Sequence, residues 1–164
     1  MKDICCIGHI TRDKIITPRQ TVSMAGGTAF YMAHGINHLP HDIAFQLVTK
    51  IGPESREEVD RMRREGIDVL CYDSLHSVYF ENRYGTESNR RTQRVLAKAD
   101  PFTLAEMQPL EAKVFHLGSL LADDFPPEVV RYLSEKGRIS IDVQGYLREV
   151  RGENVCAVNW KDKE

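Results

Sequence analysis

Two adjacent glycines and an upstream aspartate are the residues of this chain whose types and spacing best suit ligand binding. Gly26 and Gly27 precede an apolar helical pattern that begins at Ala29. Glycine lets a backbone turn sharply and approach a ligand closely, and free N–H groups at a helix start suit polar or anionic ligands. Asp13 follows the first apolar segment, so its carboxylate and the glycine pair can converge on a polyhydroxylated substrate. The alternative is a strand-to-helix turn that binds nothing.

Three histidines cluster near the end of the first predicted helix. His34 and His38 are one helical turn apart, and His41 follows them, a spacing that suits metal ligands. No cysteine or convincing acidic ligand lies nearby, so we predict exposed histidines at a helix end and no metal site. His116 lies in a separate apolar segment and is predicted to be a hydrogen-bonded histidine of the core.

Two further acidic positions each have two interpretations. Asp123 and Asp124 precede Pro126, and we interpret them first as acids at a helix start and second as a catalytic pair. Asp142 ends a predicted strand at the carboxyl edge of the sheet, where ligands gather in open α/β folds. It suits an ordinary turn equally well.

Composition and charge exclude several classes of protein. The chain has 164 residues, 41% of them hydrophobic and 28% charged, which is ordinary for a globular domain with a core. Its 22 basic and 24 acidic side chains leave a net charge of -2, so no field favours nucleic acid or an anionic membrane. No apolar segment suits a membrane helix, and residues 1–3 do not open a signal peptide. We therefore predict a cytoplasmic protein.

The cysteines are predicted to be reduced. The chain contains Cys5, Cys6, Cys71 and Cys156. Three of the four lie in apolar segments typical of strands, and none belongs to a Cys-x-x-Cys pair. Buried thiols are therefore favoured over disulfides.

Strand and helix patterns alternate along the chain. Continuous apolar runs predict strands that are buried on both faces, and helical spacing predicts helices between them. Predicted strands cover residues 3–7, 14–17, 20–22, 43–50, 68–72, 114–117 and 138–142, and predicted helices cover 29–39, 55–66, 103–107 and 126–136. Ser55 and Glu58 are expected to form a capping box, with Val59 and Met62 on the apolar side. The alternation indicates an α/β fold with a doubly wound, largely parallel sheet flanked by helices.

Residues 77–96 interrupt this alternation. Residues 78–84 alternate with the period of a strand, a polar turn follows, and residues 91–96 pair back as a second strand. Charged residues in both strands are unsuited to a buried core strand, so we predict a β-hairpin that projects from the main sheet. With aromatic residues on one face and charge on the other, the hairpin suits a lid, a dimer contact or a protected sheet edge.

Two common nucleotide-binding motifs are absent from the sequence. No G-x-G-x-x-G follows the first predicted strand, because residues 8–10 read Gly-His-Ile, so a dinucleotide enzyme is not predicted. No G-x-x-x-x-G-K-[S/T] occurs either, which excludes a P-loop.

Several short motifs follow one another in a characteristic order. They are Asp13, Gly26-Gly27, V-T-K-I-G at 48–52, R-E-G-I at 64–67, F-E-N-R-Y at 80–84, Arg91, Gln93, A-D-P at 99–101, H-L-G at 116–118 and D-V-Q-G at 142–145. This order resembles the N-terminal part of the ribokinase-like (PfkB) carbohydrate kinases. The motifs between residues 80 and 118 are similar to a branch that includes inositol-kinase-like members. The last motif stands where many members carry Asp-Pro-Asn.

The resemblance implies a kinase that transfers a phosphoryl group from ATP to a hydroxyl of a sugar, cyclitol or nucleoside. The implied substrate-binding residues are Asp13, Gly26, Gly27, Thr28 and Tyr31, the implied lid residues are Phe80, Asn82, Arg91 and Gln93, and Gly118 and Asp142 are expected at the pocket edge. Lid strands near residues 13–22 and 77–96 would close over the substrate. ATP and Mg²⁺ are the implied cofactors of the full-length enzyme, and a homodimer through the hairpin is an implied assembly.

Two departures from the family pattern affect these expectations. Tyr31 stands where the ribokinase branch usually has an asparagine that holds sugar hydroxyls, so the substrate need not be ribose. The catalytic Asp of the family, its Asn-x-x-Glu motif and most of its ATP site belong to a C-terminal half that does not correspond to residues 1–164. The resemblance therefore implies a truncated, inactive N-terminal part with no catalytic residue in this chain.

Two other classes of function remain open at this stage. One is a non-catalytic sugar-binding or regulatory module that dimerises through the hairpin. The other is a doubly wound domain with unrelated chemistry.

Overall fold

The computed structural model describes residues 1–39, 42–86 and 90–160. Its elements in chain order are β1 (Lys2–Ile7), β2 (Thr11–Ile16), β3 (Thr21–Gly26), α1 (Thr28–Asn37), β4 (Phe45–Ile51), α2 (Arg56–Arg64), β5 (Val69–Asp73), β6 (Val78–Tyr84), β7 (Arg91–Ala97), α3 (Leu104–Met107), β8 (Ala112–Leu117), α4 (Pro127–Lys136), β9 (Arg138–Ile141), β10 (Arg148–Arg151) and β11 (Asn154–Ala157). The strands form two sheets, which we call the main sheet and the lid sheet.

The main sheet is parallel, with its strands in the order β5-β4-β1-β8-β9. Helices pack on both of its faces, which is why the central strand β1 is apolar at consecutive positions. Cys5 belongs to the core cluster with α3 and α4, and Cys6 belongs to the cluster with α1 and α2. Burial raises the pKa of the Cys5 thiol to about 12. The predicted α/β class, with a largely parallel sheet flanked by helices, is confirmed.

The lid sheet has the strand order β10-β11-β7-β6-β2-β3. The predicted hairpin is present as β6 and β7, which pair antiparallel. The hairpin lies outside the main sheet, as predicted. It is not a free-standing pair of strands, however, because β2 pairs with β6 and a second hairpin, β10–β11, pairs with β7. The charge in these strands is tolerated because oppositely charged residues pair across them, as Lys14 and Glu81 do at 3.1 Å.

The two faces of the lid sheet do not divide into an aromatic and a charged face. Cross-strand register places Asp13 opposite Phe80, so these residues share a face, and Arg12 opposite Tyr79 on the other face. The Arg12 guanidinium lies 4.8 Å from the centre of the Tyr79 ring. The expected separation of aromatic and charged residues is therefore wrong, because an aromatic ring can pack against a cation.

Other local predictions need correction. The Ser55 side chain makes no capping hydrogen bond, and its Oγ is buried without a hydrogen-bond partner among the described residues. The expected capping box of α2 is therefore wrong, whereas Thr103 and Glu106 do form one at α3. β2 begins at Thr11, earlier than predicted, and β10 was not anticipated.

The cysteines agree with their predicted redox state. All four are free, with Cys5 and Cys6 buried and Cys71 and Cys156 half-buried. All four, not three, lie in strands.

None of the helices in the described ranges is long and apolar enough to cross a membrane.

Candidate functional site

The glycine pair lies where the chain passes from β3 of the lid sheet to α1, which packs on the main sheet. Gly26 ends β3, and Gly27 is the N-cap of α1 with φ 96°. This left-handed conformation favours glycine. A Cβ at Gly27 would lie 2.6 Å from the His9 carbonyl oxygen. The backbone therefore requires glycine here, and the N–H groups at the start of α1 lie at the positive end of its dipole.

Asp13 lies directly against Gly26. A Cβ at Gly26 would be 2.5 Å from the Asp13 Oδ2 atom and 3.0 Å from the Thr11 Oγ1 atom. The Thr11 hydroxyl donates to Asp13 Oδ1 at 2.8 Å. Burial raises the pKa of the Asp13 carboxyl, while the Thr11 hydrogen bond and the charge of Arg91 oppose this shift. The structure thus brings the aspartate and the glycine pair together, and their part in binding stays a prediction.

A polar network joins the start of α1 to the segment after β9. The Thr28 hydroxyl donates to Asp142 Oδ2 at 2.6 Å. The Gln144 side-chain amide donates to Thr28 Oγ1 and to Asp142 Oδ2, each at 2.7 Å. The Gln144 backbone N–H donates to Asp142 Oδ1 at 3.1 Å, so Asp142 also has the predicted turn role. Gln144 had no assigned role in the sequence analysis.

Two glycines beside this network pack closely against their neighbours. A Cβ at Gly118 would meet Ala29 N and Thr28 Cβ, both at 3.4 Å, so the loop after β8 lies against the first turn of α1. Gly145 packs on Ser119 with no room for a side chain. Gly118 therefore lets the loop after β8 lie against the start of α1, where Thr28 joins the network.

The face of the lid sheet that carries Asp13, which we call its inner face, also carries the polar side chains of Asn82 and Gln93. Gln93 donates to Asn82 Oδ1 at 2.9 Å, and the two residues are cross-strand partners in β6 and β7. They lie on the face that also carries Asp13, because Phe80 is opposite Asp13 and Asn82 is two residues further on. Phe80 itself is buried in the apolar cluster of the lid.

Arg148 is a residue that the sequence analysis missed. It begins β10 and is half-buried. Burial lowers the pKa of its guanidinium, and the charge of Arg91 lowers it further, while the charge of Asp142 raises it. Within the described part of the chain, no side-chain hydrogen bond or ion pair joins this guanidinium. Arg148 lies three residues after the D-V-Q-G motif, and this proximity is the sequence signal that could have identified it.

Other predicted residues lie apart from this network. Tyr31 is 55% exposed on α1, and its ring packs edge-on against Phe30 at 5.4 Å. His34 lies 3.4 Å from a Glu65 carboxylate oxygen. His38 contacts the His34 carbonyl at 2.7 Å, and His41 lies outside the described residues. Of the residues described, no group of three or more His, Cys, Asp or Glu could hold a metal ion.

Two interpretations from the sequence need correction. His116 has the predicted hydrogen-bonding contact, with Ser140 Oγ at 3.0 Å, but it is half-buried and not in the core, because it lies in β8 beside the edge strand β9. Asp124 does not act as a helix-start acid for α4, because its Oδ2 accepts the N–H groups of Leu120 and Leu121 at 2.7 and 3.0 Å. Only Asp123 is exposed, and it pairs with Lys98.

Solved kinases share this arrangement of a parallel sheet and a β lid. A pyrophosphate-dependent kinase in the ribokinase family, in complex with sulfate, is 26% identical, with a TM-score of 0.87 over 96% of this chain and 56% of that one. A pyrophosphate-dependent kinase of the same family, with a pyrophosphate analogue and myo-inositol, is 25% identical, with a TM-score of 0.86 over 96% and 55%. A sugar kinase from Pyrococcus horikoshii in complex with ATP is 21% identical, with a TM-score of 0.66 over 85% and 52%.

These similarities confirm the resemblance to ribokinase-family kinases, and the fold of this chain is theirs. Other structural neighbours in the same fold are nucleoside kinases. The chain spans about half the length of the solved structures it matches. No protein-family model matches the sequence, and no curated protein matches it either.

Proposed function

We propose that this chain is the substrate-binding part of a ribokinase-type kinase whose acceptor is a cyclitol of the myo-inositol kind. The observation that carries the proposal is the grouping of Asp13 and Gly26 at the lid-sheet face that also carries the Asn82–Gln93 pair. A carboxylate accepts hydrogen bonds from two neighbouring hydroxyls, and side-chain amides both donate and accept. Such a set suits a ring with many hydroxyls. One of the structural neighbours is a kinase of this family in complex with myo-inositol.

Each part of the site has a physical task in this proposal. Asp13 orients the acceptor ring, since charged hydrogen bonds are worth about 1.5–3 kcal/mol each. The N–H groups of Gly27 and Thr28 hold further oxygens at the start of α1. The lid sheet covers the acceptor and excludes water, which would otherwise compete for the phosphoryl group.

Arg148 extends the proposal toward the phosphoryl donor. A half-buried guanidinium near Asp142 and Arg91 favours an anion, because binding one removes the repulsion between the two cations. We infer that the donor anion approaches between α1 and β10. The donor is ATP in the family resemblance, and it is pyrophosphate in two neighbours. Mg²⁺, the cofactor that the family resemblance implies, is usually held by one or two carboxylates together with the phosphates of the donor.

Direct binding tests the acceptor. We expect the purified chain to bind myo-inositol in a calorimetric or NMR titration, more tightly than ribose or inosine. Asp13→Ala should weaken that binding by about one to two orders of magnitude, because it removes charged hydrogen bonds, with Asp73→Ala as an exposed control. A stronger response to ribose or inosine would contradict the cyclitol assignment, and no response to any of the three would contradict the binding role.

A binding module without catalysis remains the second proposal. It would bind the cyclitol and dimerise through the hairpin, which carries Glu81, Arg83 and Arg94 beside Lys14 of β2. Analytical ultracentrifugation separates a dimer from a monomer, and a monomer would contradict the hairpin interface.

A further inference from the structure

A buried histidine and a buried aspartate meet beneath the glycine pair, outside the binding groups described above. His9 has no exposed surface, and Asp124 is 4% exposed. His9 Nε2 lies 3.8 Å from Asp124 Oδ1 and has no hydrogen-bond partner among the described residues. An unpartnered polar nitrogen in the core is costly, so this contact needs a reason.

The partners of the ring determine where its protons lie. His9 Nδ1 is 3.1 Å from the Lys50 carbonyl oxygen, which can only accept, so Nδ1 carries hydrogen. Asp124 uses Oδ2 for two backbone N–H groups, which leaves Oδ1 for the ring. Two lone pairs facing each other in the core would repel. The 3.8 Å separation of Nε2 and Oδ1 is longer than a hydrogen bond. A proton on one of the two atoms removes this repulsion, either as an imidazolium beside a carboxylate or as an imidazole beside a carboxylic acid.

The same two residues hold the loops that form the floor of the site. The His9 carbonyl lies where a Gly27 side chain would be. The Asp124 carboxyl fixes the loop at Leu120 and Leu121, which follows Ser119, the residue on which Gly145 packs. One contact thus joins the support of α1 to the support of the segment that carries Asp142 and Gln144.

Aromatic and charged neighbours isolate this contact. The His9 ring stacks on Phe102 at 4.6 Å, and Phe102 stacks on Phe125 at 5.1 Å. The charged or titratable groups that face the pair are Lys50, which pairs with Glu106, Asp100, which accepts from Ser74 and Leu75, Asp123, which pairs with Lys98, and Tyr146. Lys50, Asp100 and Asp123 each have partners of their own. Lys50, the cation among them, therefore does not take the place of the proton between His9 and Asp124.

We propose that His9 and Asp124 are positioning residues, which keep the Gly27 and Gln144 sides of the site at one spacing through the attraction that one proton supplies between them. The proposal rests on the proposed function only for its last consequence, that acceptor binding depends on this spacing. The spacing itself can be tested without any substrate.

The first test reads the protons directly in the wild-type chain. In nitrogen-15 NMR of the His9 ring, we expect Nδ1 bonded to hydrogen and Nε2 either protonated or shifted by a hydrogen bond. A bare Nε2 signal would overturn the proposal. This test needs neither a variant nor a ligand.

The second test compares two variants of nearly equal size. Asp124→Asn can still accept from the loop N–H groups and can donate to Nε2, so it should preserve the contact. Asp124→Leu can do neither, and Asp123→Asn is the exposed control. We expect Asp124→Leu to shift the amide signals of Gly27, Thr28 and Gln144 and to speed their hydrogen exchange, with Asp124→Asn and the control close to wild type. Unchanged amides in Asp124→Leu, or equal effects of both Asp124 variants, would overturn the proposal.

The third test concerns binding and separates the two proposals. With myo-inositol as the probe, Asp124→Leu should raise the Kd by about tenfold, the scale of one lost buried polar contact, and Asp124→Asn should restore the affinity. If the wild-type chain binds no myo-inositol, the proposed function fails, while the amide test still decides the positioning role. If Asp124→Leu does not fold, His9→Phe, which keeps the ring stack, takes its place in both tests.

Discussion

Gly26 and Gly27 are neighbours in the chain, yet their surroundings impose different demands. Gly27 has a left-handed backbone, and a side chain there would meet the His9 backbone carbonyl. A side chain at Gly26 would meet the Asp13 carboxylate, which can rotate away. Gly27 is therefore required by the fold of the backbone, and Gly26 is required by its contact with Asp13.

This difference predicts different effects of replacing each glycine by alanine. Gly27→Ala should lower the free energy of unfolding by about 1–3 kcal/mol, because it adds backbone strain and a clash. Gly26→Ala should cost about 1 kcal/mol or less and should weaken myo-inositol binding by displacing Asp13. Urea denaturation and calorimetric titration of both variants measure the two effects. Equal losses of stability would contradict the assignment.

The raised pKa of Asp13 predicts a pH dependence with opposite signs for stability and binding. Because burial favours the protonated form in the folded chain, stability falls as the pH rises from 3.8, the value of the free carboxyl, through the raised folded pKa. Binding of hydroxyls by the carboxylate increases over the same interval. Asp13→Asn should remove both changes and should be more stable than wild type at neutral pH. Denaturation and titration across this interval provide the measurement, and parallel pH curves for the two proteins would contradict it.

At the scale of elements, the lid sheet depends on anchors where its strands leave the main domain. The Asp100 carboxylate accepts from Ser74 Oγ and from the Leu75 N–H, both at 3.1 Å, and the Asp100 N–H donates to Ser74 Oγ at 2.8 Å. This exchange joins the segment before β6 to the segment after β7. The backbone hydrogen bond from Leu75 is the main reason that the pKa of Asp100 is lowered.

Removing this anchor should destabilise the base of the lid in a pH-dependent way. Asp100→Ala should lower the free energy of unfolding at neutral pH by about 0.5–1 kcal/mol, since the residue is exposed. With a lowered folded pKa, Asp100 contributes above the free-carboxyl value of 3.8, and its contribution is lost as the pH falls through the folded pKa. The gap between wild type and variant should close in acid. Asp73→Ala, which breaks an exposed pair with Arg56, should show a smaller effect.

At the scale of the whole molecule, the chain spans about half the length of the solved kinases that it matches, and the catalytic groups of the family are not assigned to it. We therefore expect no phosphoryl transfer by the purified chain with either ATP or pyrophosphate and myo-inositol. Detection of inositol phosphate by NMR or mass spectrometry gives the measurement, with an intact ribokinase-type enzyme as positive control. Substrate-dependent product above the level without protein would contradict this expectation.

Local patterns in the sequence were sufficient for the main sheet and for the hairpin. β1 is apolar at consecutive positions because it is covered on both faces, and residues 78–84 form β6 as their pattern predicted, although Phe80, Glu81 and Asn82 are buried in succession. The left-handed turn at Gly27 was also accessible, since few other residues adopt it. Such features depend on near neighbours in the chain, and sequence alone determined them.

Only the tertiary structure decided which distant groups share the site. Asp142 resembles a turn residue until its carboxylate meets the Thr28 hydroxyl. Asp124 resembles a helix-start acid until the fold buries it against His9. Arg148 gains its environment only when β10 joins the lid beside Arg91. These roles depend on the desolvation of groups that are far apart in sequence, and no periodicity or local propensity encodes how distant polar groups meet in a dry interior.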